Sequence, residues 1–130
     1  MACRVRVRNV AVLALLGAVW SAPGALGQDM AALYRDCEAA LGAQKYAEAE
    51  RLARQGLGLA ERSRQPLVVA GWSEELGRVL MELNRFADAE AAIKRALEIF
   101  DQQARPDLAV IAMCCRCLLY TSDAADDLTR

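Results

Sequence analysis

Shifted by forty positions, the chain falls into register with itself. Gln44 to Pro66, QKYAEAERLARQGLGLAERSRQP, lies on Asn84 to Pro106, NRFADAEAAIKRALEIFDQQARP. The shift pairs Lys45 with Arg85, Tyr46 with Phe86, Ala49 with Ala89, Glu50 with Glu90, Leu57 with Leu97 and Pro66 with Pro106. A period of this length implies one supersecondary unit stacked on copies of itself, because a unit that short cannot bury its apolar face alone. In the second copy Phe86, Ala89, Ile93, Ala96, Leu97 and Phe100 keep to one helical face, and in the first Tyr46, Ala49, Ala53, Gly56, Leu57 and Ala60 do the same. Another helix precedes each of these. Trp72, Leu76, Val79, Leu80 and Leu83 follow i, i+4, i+7, i+8, i+11, with Pro66 suited to the first turn, where its missing N–H would have no partner anyway. Leu33, Cys37, Ala40 and Leu41 repeat that face one period earlier, with Asp29 placed to cap the helix. Gln44 and Asn84 mark tight turns. Each period is therefore expected to be an antiparallel helical hairpin, giving an all-α fold in which Ala49, Gly56, Ala89 and Ala96 sit where helices approach closely.

Composition narrows the chemistry. With 130 residues, 55% of them hydrophobic, and a net charge of −1, the chain makes at most one small domain and offers no field to attract nucleic acid. It contains no histidine, which removes Ser-His-Asp and Cys-His catalysis and every histidine-containing zinc site. The expectation is a protein that is not an enzyme, with no catalytic residue, no metal and no cofactor. Ala and Arg are abundant, Lys45 and Lys94 are the sole lysines, and glycine and proline are sparse, a helical balance.

The N-terminus reads differently. Arg4, Arg6 and Arg8 form a positive segment, Val10 to Trp20 is apolar, and Ala25-Leu26-Gly27 offers a small-x-small site before Gln28, so residues 1–27 are expected to be a signal peptide cleaved near Gly27. The mature chain would be exported, periplasmic or secreted. An apolar run of that length makes a helix of roughly 16 Å against a hydrocarbon core of about 30 Å, so no stable membrane insertion is expected after cleavage, and Gln28 and Asp29 offer no cysteine for a lipid. Of the Cys residues, Cys3 leaves with the signal peptide and Cys117 lies in an anomalous tail, leaving Cys37, Cys114 and Cys115. Adjacent cysteines on a helix diverge by about 100°, and neither a Cys-x-x-Cys redox motif nor a metal-ligand spacing remains.

The second copy, ELGRVLMELNRFADAEAAIKRALEIF, resembles a tetratricopeptide repeat, with Leu76 and Gly77 at the close-packing site of the first helix and Ala89, Ile93 and Ala96 at the motif positions of the second. The period of forty and the RPDLA that opens the next unit are most similar to the longer bacterial and kinesin-light-chain-like variety. The resemblance extends from Asp29 to about Arg116 and is weaker in the first copy, where Asp36 stands for the expected Leu and Cys37 for the expected Gly or Ala. It implies a solenoid with repeat 1 over 28–65, repeat 2 over 66–105 and the start of a truncated repeat 3 over 106–116. It further implies a scaffold that binds a protein or peptide on a concave side lined by the first helices, where Tyr34, Glu38, Leu41, Glu74, Arg78, Met81 and Glu82 would face the groove. That set is mainly Glu with one Arg, so a bound peptide would be basic or mixed rather than a free acidic C-terminus. The plainer alternative is that these charges form a solvated helical face. Trp72 is expected in the core, Tyr46 and Phe86 at the hairpin closures, and Cys37 as a small buried residue. The same repeats would also suit the N-terminal module of a larger secreted enzyme, for example a caspase-like protease, or an uncleaved membrane-tethered form.

The third period starts well at Pro106, Asp107, Leu108, Ala109 and Val110, but Arg116 falls where Leu76 should be echoed and Cys117 where Gly77 should be, so the helical face is expected to end there. Cys117 to Asp127, CLLYTSDAADD, resembles one translated frame of a transposon-end adapter used in sequencing libraries, so 117–130 reads as a non-native tail. Two and a half repeats would leave the last helix uncapped, predicting low stability or self-association through it.

Overall fold

The computed structural model describes residues 25–129; residues 1–24, most of the expected signal peptide of 1–27, lie outside the described residues. Five helices follow one another: α1 Ala25–Gly42, α2 Tyr46–Ser63, α3 Pro66–Glu82, α4 Phe86–Gln102 and α5 Pro106–Thr129. Each packs against the next in chain order, so the described residues form an all-α, solenoid-like series of antiparallel hairpins. None of these helices is long and apolar enough to cross a membrane.

The turns repeat with half the sequence period. Gln44, Arg64, Asn84 and Ala104 all adopt left-handed backbone, with φ of 60°, 56°, 58° and 51°. At three of them the following N–H returns to a carbonyl five residues back, Lys45 to Ala40, Arg85 to Leu80 and Arg105 to Phe100, at 2.9 to 3.0 Å, so otherwise unpaired carbonyls at the helix ends are satisfied. Pro66 and Pro106 then open α3 and α5 as first residues, where proline's fixed φ suits the helix.

Small residues set the helix spacing as expected. Ala49, Ala89 and Ala96 are fully buried; the Trp72 ring fills the space beside Gly56, and Ile93 Cγ1 lies 2.6 Å from where a Cβ on Gly77 would stand. Cys37, Leu52, Leu76, Val79, Leu80 and Ala89 share one core cluster, while Met30, Ala60, Val68 and Trp72 form a second under α2 and α3. Burying each large aliphatic or aromatic side chain contributes about 1.5–3 kcal/mol against the ordering of the chain.

Two expectations are corrected. Asp29 does not cap α1, because the helix already begins at Ala25 and carries Asp29 inside it. The helical face does not end at Arg116 either: α5 runs to Thr129, and Leu108, Ala112, Cys115 and Leu119, spaced i, i+4, i+7, i+11, are buried. Arg116 and Cys117, which repeat Leu76 and Gly77, are exposed on another side of α5, while the buried stripe keeps the repeat register: Leu108, Ala109, Ala112, Cys115 and Leu119 repeat the buried Val68, Val69, Trp72, Glu75 and Val79. That stripe covers α4, with Ala96 and Phe100 clustered against Leu108, Ala109 and Ala112.

Candidate partner-binding face

The hairpins stack in two layers. Side chains join the first helices to one another, Arg78 Nη1 to Glu38 Oε1 at 3.3 Å and Cys115 Sγ to Glu74 Oε1 at 3.7 Å. Others join the second helices, Arg85 Nη1 to Glu50 Oε1 at 2.7 Å and Arg95 Nη2 to Glu61 Oε1 at 2.8 Å. The layer of α1, α3 and α5 carries all seven residues expected at the groove.

Periodicity explains their alignment. Tyr34, Glu38 and Leu41 on α1 correspond to Glu74, Arg78 and Met81 on α3, forty positions on, so the packing that orients one set orients the other. Tyr34 is half-buried with its ring edge-on to Trp72, centroids 5.9 Å apart at 69°, a favoured aromatic geometry. Burial, then the carboxylates of Glu75 and Glu38, push its hydroxyl above the usual tyrosine range. Leu41 and Met81 are half-buried against the main core cluster.

Between α1 and α3 lies a charged seam. Arg78 donates to Glu75 Oε2 at 2.7 Å and pairs with Glu38, while Cys37 donates its S–H to Ala49 O at 3.5 Å and to Glu75 Oε1 at 3.8 Å. Glu75 is 3% exposed, and burial drives its carboxyl up to about 7; Arg78 opposes this, and the neighbouring Glu38 and Glu74 add to it. Glu74 is likewise raised, by burial working against Arg78 and the Cys115 thiol. For Arg78, burial alone would favour loss of the proton, but Glu75 and Glu38 outweigh it and hold the guanidinium charged. Burial, followed by Glu75 and Glu38, pushes the Cys37 thiol up to about 12.

The expected groove residues therefore divide. Glu82 is exposed, Tyr34, Glu38, Leu41, Arg78 and Met81 are half-buried, and Glu74 is withdrawn at 6% exposure. A simple solvated face describes Glu82 and fails for Glu38, Glu74 and Arg78, which are tied into contacts between hairpins. Glu75 was not among the expected residues; the signal for it was a carboxylate set three positions before Arg78 inside a segment, Val68 to Gly77, that is otherwise almost wholly small or apolar. Among the described residues no group of three or more His, Cys, Asp or Glu is arranged to hold a metal ion.

Fold and face together define an all-α stack of helical hairpins with a charged seam along its first helices. No family model, no curated protein and no solved structure matches the chain.

Proposed function

We propose that the chain is an exported tetratricopeptide-type scaffold that holds a protein or peptide against the layer of α1, α3 and α5. The observation that supports this is the alignment of Tyr34, Glu38 and Leu41 with their forty-residue counterparts in one layer, linked by the Arg78–Glu38 contact. Half-buried aromatic and aliphatic side chains give that layer area to bury, and the rigid hairpins present it at little ordering cost. Carboxylates outnumber the single arginine among these positions, which favours a basic or mixed peptide.

The reading is tested by panning a displayed peptide library against the purified chain and measuring the selected peptides by calorimetry. Leu41→Ala and Glu82→Lys should weaken binding at least severalfold, and the selected peptides should be enriched in Lys and Arg. Peptides that bind those variants as tightly as the parent, yet lose affinity when Arg95 on the opposite layer becomes Glu, would overturn it.

A further inference from the structure

We propose that the outer side of α4 and α5 is a docking seat for a single amphipathic helix of a partner chain, one carrying two basic side chains ten residues apart. The internal repeat shows what such a seat holds. One period earlier the equivalent surface, on α2 and α3, is occupied by α4: Ile93 presses on Gly77, Arg85 reaches Glu50 at 2.7 Å and Arg95 reaches Glu61 at 2.8 Å. Under this cover Ser73 and Leu80 of α3 are 1% and 2% exposed.

Forty residues on, the same positions are open. Met113 and Tyr120 repeat Ser73 and Leu80, and they are the large hydrophobic side chains left exposed among the described residues, at 48% and 54%. The two carboxylates are kept, since Glu90 repeats Glu50 and Asp101 repeats Glu61, and both are exposed. Glu90 accepts a hydrogen bond from the Tyr120 hydroxyl at 2.9 Å, at the edge of the seat. Between α4 and α5, Leu97, Ala109 and Met113 line a cleft of about 240 Å³ whose charged rim includes Lys94, Asp101 and Arg116. An apolar cleft with two carboxylates set at the spacing that Arg85 and Arg95 already satisfy is complementary to a helix of α4's own pattern.

A second copy of the chain has no free second helix to offer this seat. Its candidate second helices, α2 and α4, already hold their own first helices, α1 and α3, in the place that α5 would have to take. The occupant is therefore a lone helix. Glu90, Leu97, Asp101 and Met113 all precede Cys117, so the carboxylates and the cleft of the seat lie outside the anomalous segment, to which only Tyr120 at its edge belongs.

The test uses the full chain and a fluorescein-labelled synthetic peptide with the sequence of Arg85 to Gln103, followed by anisotropy. Saturable binding is expected, weakened at least tenfold by Glu90→Lys combined with Asp101→Lys and by Met113→Glu. These are exposed positions, and circular dichroism checks that each variant keeps its helix content. The combination Glu50→Lys with Glu61→Lys should leave affinity unchanged. No saturable binding overturns the proposal. So does a loss confined to the Glu50 and Glu61 variant, which would mean that the peptide displaces α4, and so does a dimer in sedimentation velocity that Met113→Glu dissolves, which would give the seat to a second copy.

Discussion

The six-membered ring of Trp72 lies against Gly56, in the space that a Cβ there would fill. Two residues on, Gly58 has nothing within 4 Å of its equivalent position. The two glycines should therefore respond oppositely to alanine. Gly56→Ala gains helix propensity of about 1 kcal/mol but overpacks a rigid ring at about 1–3 kcal/mol, so urea denaturation should show a net loss. Gly58→Ala carries only the gain and should raise stability by about 0.5–1 kcal/mol. Equal effects at the two sites would mean that Trp72 does not seat on α2.

Ala104 adopts φ 51° at the turn into α5, a conformation that disfavours any residue with a Cβ. Ala104→Gly relieves a strain of about 1 kcal/mol while adding freedom to the unfolded chain, so a gain near 0.5 kcal/mol is expected. The matching change at Asn84 should gain less, because asparagine tolerates left-handed backbone. Thermal melts of the two variants check the order, and a larger gain at Asn84 would contradict the assigned turn geometry.

The hairpin plan was legible because it is written twice. Ala49 and Ala89, Gly56 and Ala96, and Tyr46 and Phe86 recur forty residues apart, and Pro66 and Pro106 mark the starts. The left-handed turns at Arg64 and Ala104 were hidden, since neither residue type signals that conformation; there the packing of consecutive helices overrides local preference. Glu75 was hidden for a related reason. Sequence pattern places a carboxylate on a face by its type, whereas its burial here depends on Arg78 and Cys37 meeting it from two helices. The continuation of α5 past Arg116 escaped because the helical face was sought at the repeats of Leu76 and Gly77, whereas the burial runs through Cys115 and Leu119, the repeats of Glu75 and Val79.

Cys37 and Cys117 should differ sharply toward thiol reagents. Cys37 is fully buried with its thiol pushed up to about 12, whereas Cys117 is exposed. Thiolate is the reactive form, so at pH 8 iodoacetamide should modify Cys117 and spare Cys37 until urea unfolds the chain. Peptide mass spectrometry over a time course reads both sites. Native-state labelling of Cys37 at the rate of Cys117 would mean that α1 does not close over α2 as described.

Glu75 makes stability depend on pH with a sign opposite to that of most carboxylates. Its pKa is raised from 4.5 to about 7 by burial, with Arg78 opposing and Glu38 and Glu74 reinforcing, so the folded chain holds the proton more tightly than the unfolded chain does. The resulting stabilisation is fully present below about 4.5 and is lost as pH rises through about 7. Around the carboxyl, Tyr34, Cys37 and Glu38 come from α1, and Glu74 and Arg78 from its own helix. Between pH 5 and pH 8 the unfolding free energy should fall by an amount on the order of 1–3 kcal/mol. Glu75→Gln should flatten that slope, leaving a smaller one of the same sign from Glu74, whose carboxyl burial also raises. Urea titrations at pH 5, 6.5 and 8 on both proteins decide the matter: a parent whose stability climbs with pH, or a Gln variant with an unchanged slope, would place the titrating group elsewhere.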